Sequence, residues 1–158
     1  MKRRLAMCIL ISALVALMAT PIFAAAEISK PVTTTEVEVY DDGSYAVIET
    51  VVEQSGISVR ATTNTKSASR TYTYYNASEV KAWDFTVKGT FSYDGSTAKA
   101  TAVSTSYNTY VSGWSLSSRD SSKSGAKVTA TGNFKYKTIT KSTTIGLKCS
   151  ASGTISAV

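Results

Sequence analysis

From Trp83 to Tyr93 the chain alternates one for one. Trp83, Phe85, Val87, Gly89, Phe91 and Tyr93 fall on one side, and Asp84, Thr86, Lys88, Thr90 and Ser92 on the other. Successive side chains of an extended strand point to opposite faces, so this segment predicts a strand with one buried and one wet face. A helix would scatter the same aromatics around its circumference. Whatever the chain folds into must therefore cover a sheet face rich in large rings.

The same period recurs on either side. Asp94-Gly95 supplies hairpin turn residues, and the returning strand from Thr97 is expected to turn Ala98, Ala100 and Ala102 inward against Lys99, Thr101 and Val103. The polar stretch from Thr105 to Thr109 reads as a connection, followed by a strand with Trp114 and Leu116. The segment from Ser117 to Gly125 reads as a loop. Val128, Ala130, Gly132, Phe134 and Tyr136 then alternate with polar residues, as do Ile145, Leu147, Cys149 and Ala151. Upstream, Thr35 to Tyr40 and Ser44 to Val52 flank Asp41-Asp42-Gly43, a hairpin signal. The Thr/Ser/Asn stretch from Thr62 to Ser69 reads as a loop, Thr71 to Tyr75 as a short strand, and Asn76 to Glu79 as a turn. About eight short strands with frequent turns predict an all-β fold. Within it, a small antiparallel β-sandwich, Ig-like in appearance, is favoured over a small barrel.

The N-terminus has a different character. Met1-Lys2-Arg3-Arg4 is a compact basic start, the 14 residues from Leu5 to Met18 are apolar except for Ser12, and Ala24-Ala25-Ala26 follows. That run suits a signal peptide and is short for a membrane span, which needs about 20 residues. A signal peptide over 1–26 is expected, with Ala24 and Ala26 at the positions a signal peptidase reads, so the mature chain is secreted and keeps no stable membrane span. Cys8 sits too early in the run to be a lipidation site. The remainder, 27–158, is expected to form one domain: an acidic hairpin (27–53), a Ser/Thr-rich connection (54–70) and core strands (71–158). Cleavage leaves Cys149 as the one cysteine, which excludes an intramolecular disulfide; its strand phase points inward, where a thiol behaves as a small hydrophobe.

Charge is uneven. The mature chain carries 14 basic and 11 acidic residues, yet seven of the acids lie between Glu27 and Glu53 with only Lys30 against them. From Gln54 onward 13 bases face Glu79, Asp84, Asp94 and Asp120. A basic surface offered to an anionic partner is one outcome of such asymmetry.

Chemistry is constrained mainly by what is missing. The chain has no histidine, which removes histidine-activated nucleophiles and histidine-based metal sites. Cys149 has no base nearby in sequence. Glu79, Asp84, Asp94 and Asp120 are the acids available to a glycan hydrolase, but mostly occupy turns or outward positions. Asp41-Asp42 offers too few oxygens for calcium, and no glycine loop would cradle a phosphate. No cofactor, metal or nucleic acid is expected. Trp83, Phe85, Phe91 and Trp114 are expected in the core. Lys127, Lys135 and Lys137 are expected to share the outward face of one strand, a solvated face or a basic stripe, with Tyr107 and Tyr110 as further candidate contact residues.

Several motifs also fit one pattern: Asp42-Gly43-Ser44-Tyr45, the Arg60-Ala61-Thr62 link, R-T-Y-T-Y-Y-N from Arg70 to Asn76, W-x-F-T-V-x-G-T-F-x-Y-D-G-S from Trp83 to Ser96, Trp114, and L-x-C-S-x-x-G from Leu147 to Gly153. Together they resemble an uncharacterised family of small secreted all-β proteins from Gram-positive gut and soil bacteria, over essentially the whole mature chain. The resemblance implies export and an all-β domain but no activity. Members of that family often carry a second cysteine where this chain has Ala100, which implies a disulfide to the Cys149 position that is absent here. The expected function is a non-enzymatic extracellular or envelope-associated binding module for anionic cell-wall polymers or glycans. A secreted toxin or bacteriocin-like effector and a carboxylate-dependent glycan hydrolase are the alternatives.

Overall fold

The computed structural model describes residues 30–53 and 63–158, and turns the alternation into nine strands. They are β1 (Val32–Val39), β2 (Tyr45–Glu53), β3 (Asn64–Tyr75), β4 (Lys81–Tyr93), β5 (Ala98–Thr109), β6 (Trp114–Ser124), β7 (Lys127–Tyr136), β8 (Ile139–Cys149) and β9 (Ile155–Ala157). The first five form one sheet in the order β1-β2-β3-β4-β5, and the rest a second in the order β6-β7-β8-β9. The all-β sandwich read from the sequence is therefore the fold. Its strand order is one meander followed by another, without the crossovers of an immunoglobulin domain.

Trp83, Phe85, Val87 and Phe91 are fully buried on the inward face of β4, and Val128, Ala130, Phe134, Ile145 and Leu147 meet them from β7 and β8. Trp83 lies flat on Phe134, with ring centroids 3.9 Å apart and planes 7° from parallel. Phe85 meets the same ring edge-on at 6.3 Å. Tyr72 and Tyr74 flank Trp83 at 5.4 and 5.3 Å. Two glycines let the sheets approach this closely. A Cβ on Gly89 would sit 2.8 Å from Val128 Cγ2, and one on Gly132 would sit 3.1 Å from the Phe85 ring.

Four expectations are corrected. The stretch from Thr62 to Ser69 is no loop beyond Asn64, where β3 begins; it pairs with β2 on one side and β4 on the other. The segment Asn64–Arg70 accordingly belongs to the core strands and not to a connection. Its Ser and Thr side chains cover the outer face of the sheet, where Thr71 and Thr86 hydroxyls meet at 2.9 Å and Ser67 and Thr90 at 3.1 Å. The segments Thr105–Thr109 and Ser117–Ser124 are strand too, in β5 and β6. Both lie on sheet edges, where polar residues are tolerated on both faces. Finally, the alanine alternation breaks within β5. Thr90 pairs with Ala102 and Phe91 with Ala100, so Thr101 bulges out. Ala100 is buried, Ala102 is exposed, and Val103 takes the next half-buried position. An extra residue on one strand shifts the phase beyond it by one.

The corner holding Ala100 also holds Cys149. The Ala100 N–H donates to Gly125 O at 2.8 Å and the Cys149 N–H to the adjacent Ala126 O at 3.0 Å, and both side chains are buried.

Truncating Phe134 to Ala removes the ring on which the sheets meet. It is expected to lower stability by about 3–5 kcal/mol, read as a shifted urea midpoint at unchanged slope. The Ala100→Cys variant, oxidised after folding, is expected to titrate no free thiol when denatured because the new thiol bridges Cys149. Two titrating thiols in folded protein would rule the pairing out.

Candidate functional site

The five residues singled out as a contact surface do not form one. Lys127 and Lys135 are exposed on the outward face of β7. Lys137 lies beyond the strand, in the turn to β8, where its φ of 51° breaks the alternation and its ammonium sits 5.3 Å from the Tyr136 ring. Tyr107 belongs to the other sheet. It pairs with Phe85 and leans edge-on against Phe134 at 6.2 Å. Tyr110 follows β5 in the first sheet, where its N–H donates to Ala82 O at 2.8 Å. Ala24 and Ala26 lie outside the described residues.

The outward face of β7 has a chemistry of its own. Lys127 stands directly opposite Lys148 of β8. Along the same face, Ser122 and Thr129 hydroxyls meet at 2.9 Å, Thr131 and Thr144 at 2.9 Å, and the Asn133 amide donates to Ser118 Oγ at 2.9 Å. Asp120, across from Thr131, is the acid on this face. The sequence shows the lysines but not the cross-strand partner, because register between strands is set by turns and bulges rather than by composition.

The hydrolase acids are kept apart. Asp84 and Asp94 stand at opposite ends of β4, roughly 33 Å apart at about 3.3 Å per residue, and Asp120 is in the second sheet. Asp94 serves its turn by accepting the Ser96 and Thr97 N–H groups at 2.9 and 2.7 Å. Glu79 is an exposed turn residue with φ of 60°.

Asp84 anchors a small network instead. Its carboxylate accepts from the Tyr110 hydroxyl at 2.6 Å and the Asn108 amide at 2.9 Å, and pairs with Lys81 at 3.1 Å. The Lys81 ammonium in turn donates to Tyr110 Oη at 3.0 Å and caps its ring at 4.1 Å. Tyr110 is half exposed, yet its hydroxyl is fully engaged. Burial pushes the Asp84 carboxyl up, but the hydrogen bonds from Tyr110, Asn108 and Lys81, with the lysine's charge, outweigh it and hold it below the usual carboxylate range. Cys149 goes the other way: burial raises its thiol against a small opposing pull from Lys66, and Sγ lies 3.4 Å from Ser150 O. A buried thiol held protonated is a poor nucleophile.

One cluster escaped the sequence reading. Ala68, Arg70, Tyr72 and Tyr74 share the inward face of β3, which places a guanidinium in the core phase. Arg70 is 7% exposed. Its Nη1 donates to Glu36 Oε1 at 3.0 Å and Thr50 Oγ1 at 2.8 Å, and Nη2 to Glu36 Oε2 at 3.0 Å. Meeting it turns β1 over: Glu36 and Glu38 face inward, and Val37 and Val39 face solvent at 61% and 76% exposure. The Arg70 pair holds the Glu36 carboxyl below its ordinary range despite some desolvation. The period-2 placement of Arg70 with two tyrosines, and of Glu36 and Glu38 with two valines outside, was the available signal.

No protein-family model matches this chain, and no curated protein does. Among solved structures it is similar to a hypothetical protein of Listeria monocytogenes, at 14% identity and a TM-score of 0.45, over 80% of this chain and 94% of that one.

Asp84→Asn tests the network. The folded carboxyl titrates below its unfolded value, so its contribution is complete above about pH 4 and drains away as pH falls through the lower folded value. The variant is expected to be less stable by about 1–3 kcal/mol at neutral pH, with the gap to the parent closing in acid. A gap that is constant from neutral pH to well below pH 4 would contradict the carboxylate's role.

Proposed function

We propose that the mature chain is a secreted, non-enzymatic binding module that holds anionic envelope polymers or glycans on the outward face of β6, β7 and β8. The observation that carries this reading is the Lys127–Lys148 pair. Like charges directly opposite on a ladder destabilise a sheet, and neither lysine has an acidic partner among the described residues. Folding has no use for that juxtaposition, whereas a phosphate or carboxylate on a partner would relieve it. Lys135 extends the positive charge along the same strand to a point roughly 26 Å away, eight residues at about 3.3 Å each. That spacing suits a long polyanion rather than a compact one. The hydroxyl ladder between the lysines offers donors and acceptors to a sugar or polyol backbone. Lys137 adds charge at the Lys135 end, while Tyr107 and Tyr110 drop out of the surface because each is engaged elsewhere.

Export rests on the basic start, the 14-residue apolar run and the alanine triplet at Ala24-Ala25-Ala26. Glu36, Glu38, Glu49 and Glu53 of the N-terminal hairpin lie in the other sheet.

Retention on purified anionic cell-wall polymer is expected to fall at least about tenfold between low and high salt, because the screening length shrinks from about 10 Å at 0.1 M to about 3 Å at 1 M. Lys127→Gln with Lys148→Gln is expected to bring low-salt retention down to the high-salt level while leaving the fold more stable or unchanged. Binding that is indifferent to salt and to both substitutions would remove the mechanism.

A further inference from the structure

Beside the core, the inward face of the five-stranded sheet runs on past the second sheet. β9 covers β8 only at Leu147–Cys149, and the Val158 N–H reaches Gly146 O at 3.2 Å. From Ile139 to Ile145, β8 has no strand on that side among the described residues. A groove of about 290 Å³ lies between this stretch and β1–β3. Its walls carry Glu38, Tyr40, Arg70 and Tyr72 on one side and Ser142 and Thr143 on the other, with Ile48 and Ile145 supplying apolar surface.

Three features of this groove point to a ligand of one kind. First, Arg70 Nε is buried and has no hydrogen-bond partner among the described residues, whereas Nη1 makes two hydrogen bonds and Nη2 one. A buried donor left unmade is costly, and an acceptor supplied from the groove would satisfy it. Second, the wall offers donors and acceptors in a chain. The Tyr72 and Tyr40 hydroxyls lie 2.5 Å apart, and Tyr40 donates onward to Glu38 Oε2 at 3.0 Å, which leaves a Tyr72 lone pair for a donor in the groove. Third, the positive charges are already answered. Glu36 takes Arg70 through both oxygens, and Lys141 is paired with Asp42 at 3.1 Å. Glu38 then leaves the wall slightly negative, so an anion would face an uncompensated carboxylate.

We propose that this edge groove binds a neutral sugar residue, whose hydroxyls both accept from Arg70 Nε and donate to the Tyr72 and Glu38 oxygens. The volume is at the low end of small-molecule sites and fits one ring rather than a chain of them. The site is separate from the lysine face, and neither reading depends on the other.

The test is a titration of isotope-labelled protein with glucose, galactose and N-acetylglucosamine, as free sugars and as neutral oligosaccharides, followed by amide and guanidinium N–H resonances. Saturable shifts are expected at Arg70 Nε–H and at the amides of Tyr72, Thr143 and Ile145, unchanged by high salt. Tighter binding of an oligosaccharide than of its free sugar assigns the groove to a glycan end, and equal binding assigns it to the free sugar. Tyr72→Phe and Thr143→Val, each checked for a parent-like spectrum, are expected to weaken binding about threefold to tenfold. The proposal is overturned by any of three results: no saturable response at Arg70 Nε–H with any neutral sugar, parent-like affinity in both variants, or glucuronate binding the groove more tightly than glucose.

Discussion

The flat stack of Trp83 on Phe134 is the contact through which the two sheets know their spacing. The rings come from β4 and β7, one from each sheet, and lie at 3.9 Å with nearly parallel planes. Everything around them is fitted to that distance. Gly89 and Gly132 are bare because a Cβ at either would collide with the opposing layer. Phe85 can take an edge-on position only because Gly132 leaves the space, and Tyr72 and Tyr74 extend the aromatic layer toward β3. Burying rings of this size supplies much of the apolar area that holds the two sheets together.

The strands built around that layer were readable because their two faces differ chemically. From Trp83 to Tyr93, from Val128 to Tyr136 and from Ile145 to Cys149, the apolar phase in the sequence is the buried phase in the structure. Where both faces are polar the signal vanishes. The Ser- and Thr-rich lengths of β3, β5 and β6 look like loops because the side chains that favour turns also line an outer sheet face well. Register was illegible for a further reason. The Thr101 bulge and the Lys127–Lys148 juxtaposition follow from pairing geometry, which no single strand carries.

The inward arginine shows a different limit. Arg70 is buried while Val37 and Val39 face solvent, the reverse of what the polarity of these side chains alone favours. Once the guanidinium takes a core-facing position, the cost of leaving it unpaired exceeds the gain from burying two valines at a sheet edge. β1 therefore presents Glu36 inward and its valines outward. The edge of the sandwich is polar inside and apolar outside, the opposite of its centre. The acids in the N-terminal hairpin thus have a structural occupation, and the basic surplus of the later strands is left to the second sheet.

The order of the strands carries one more consequence, for how the chain reaches this state. Each sheet is a run of neighbours in sequence, so every ladder joins consecutive strands and closes at little loop-closure entropy. What is non-local is the meeting of the halves. The two meanders can each acquire their pairing early, but neither hides its rings until it finds the other. The slow event in folding then falls on a single docking step, in which two half-formed ribbons with sticky faces come together.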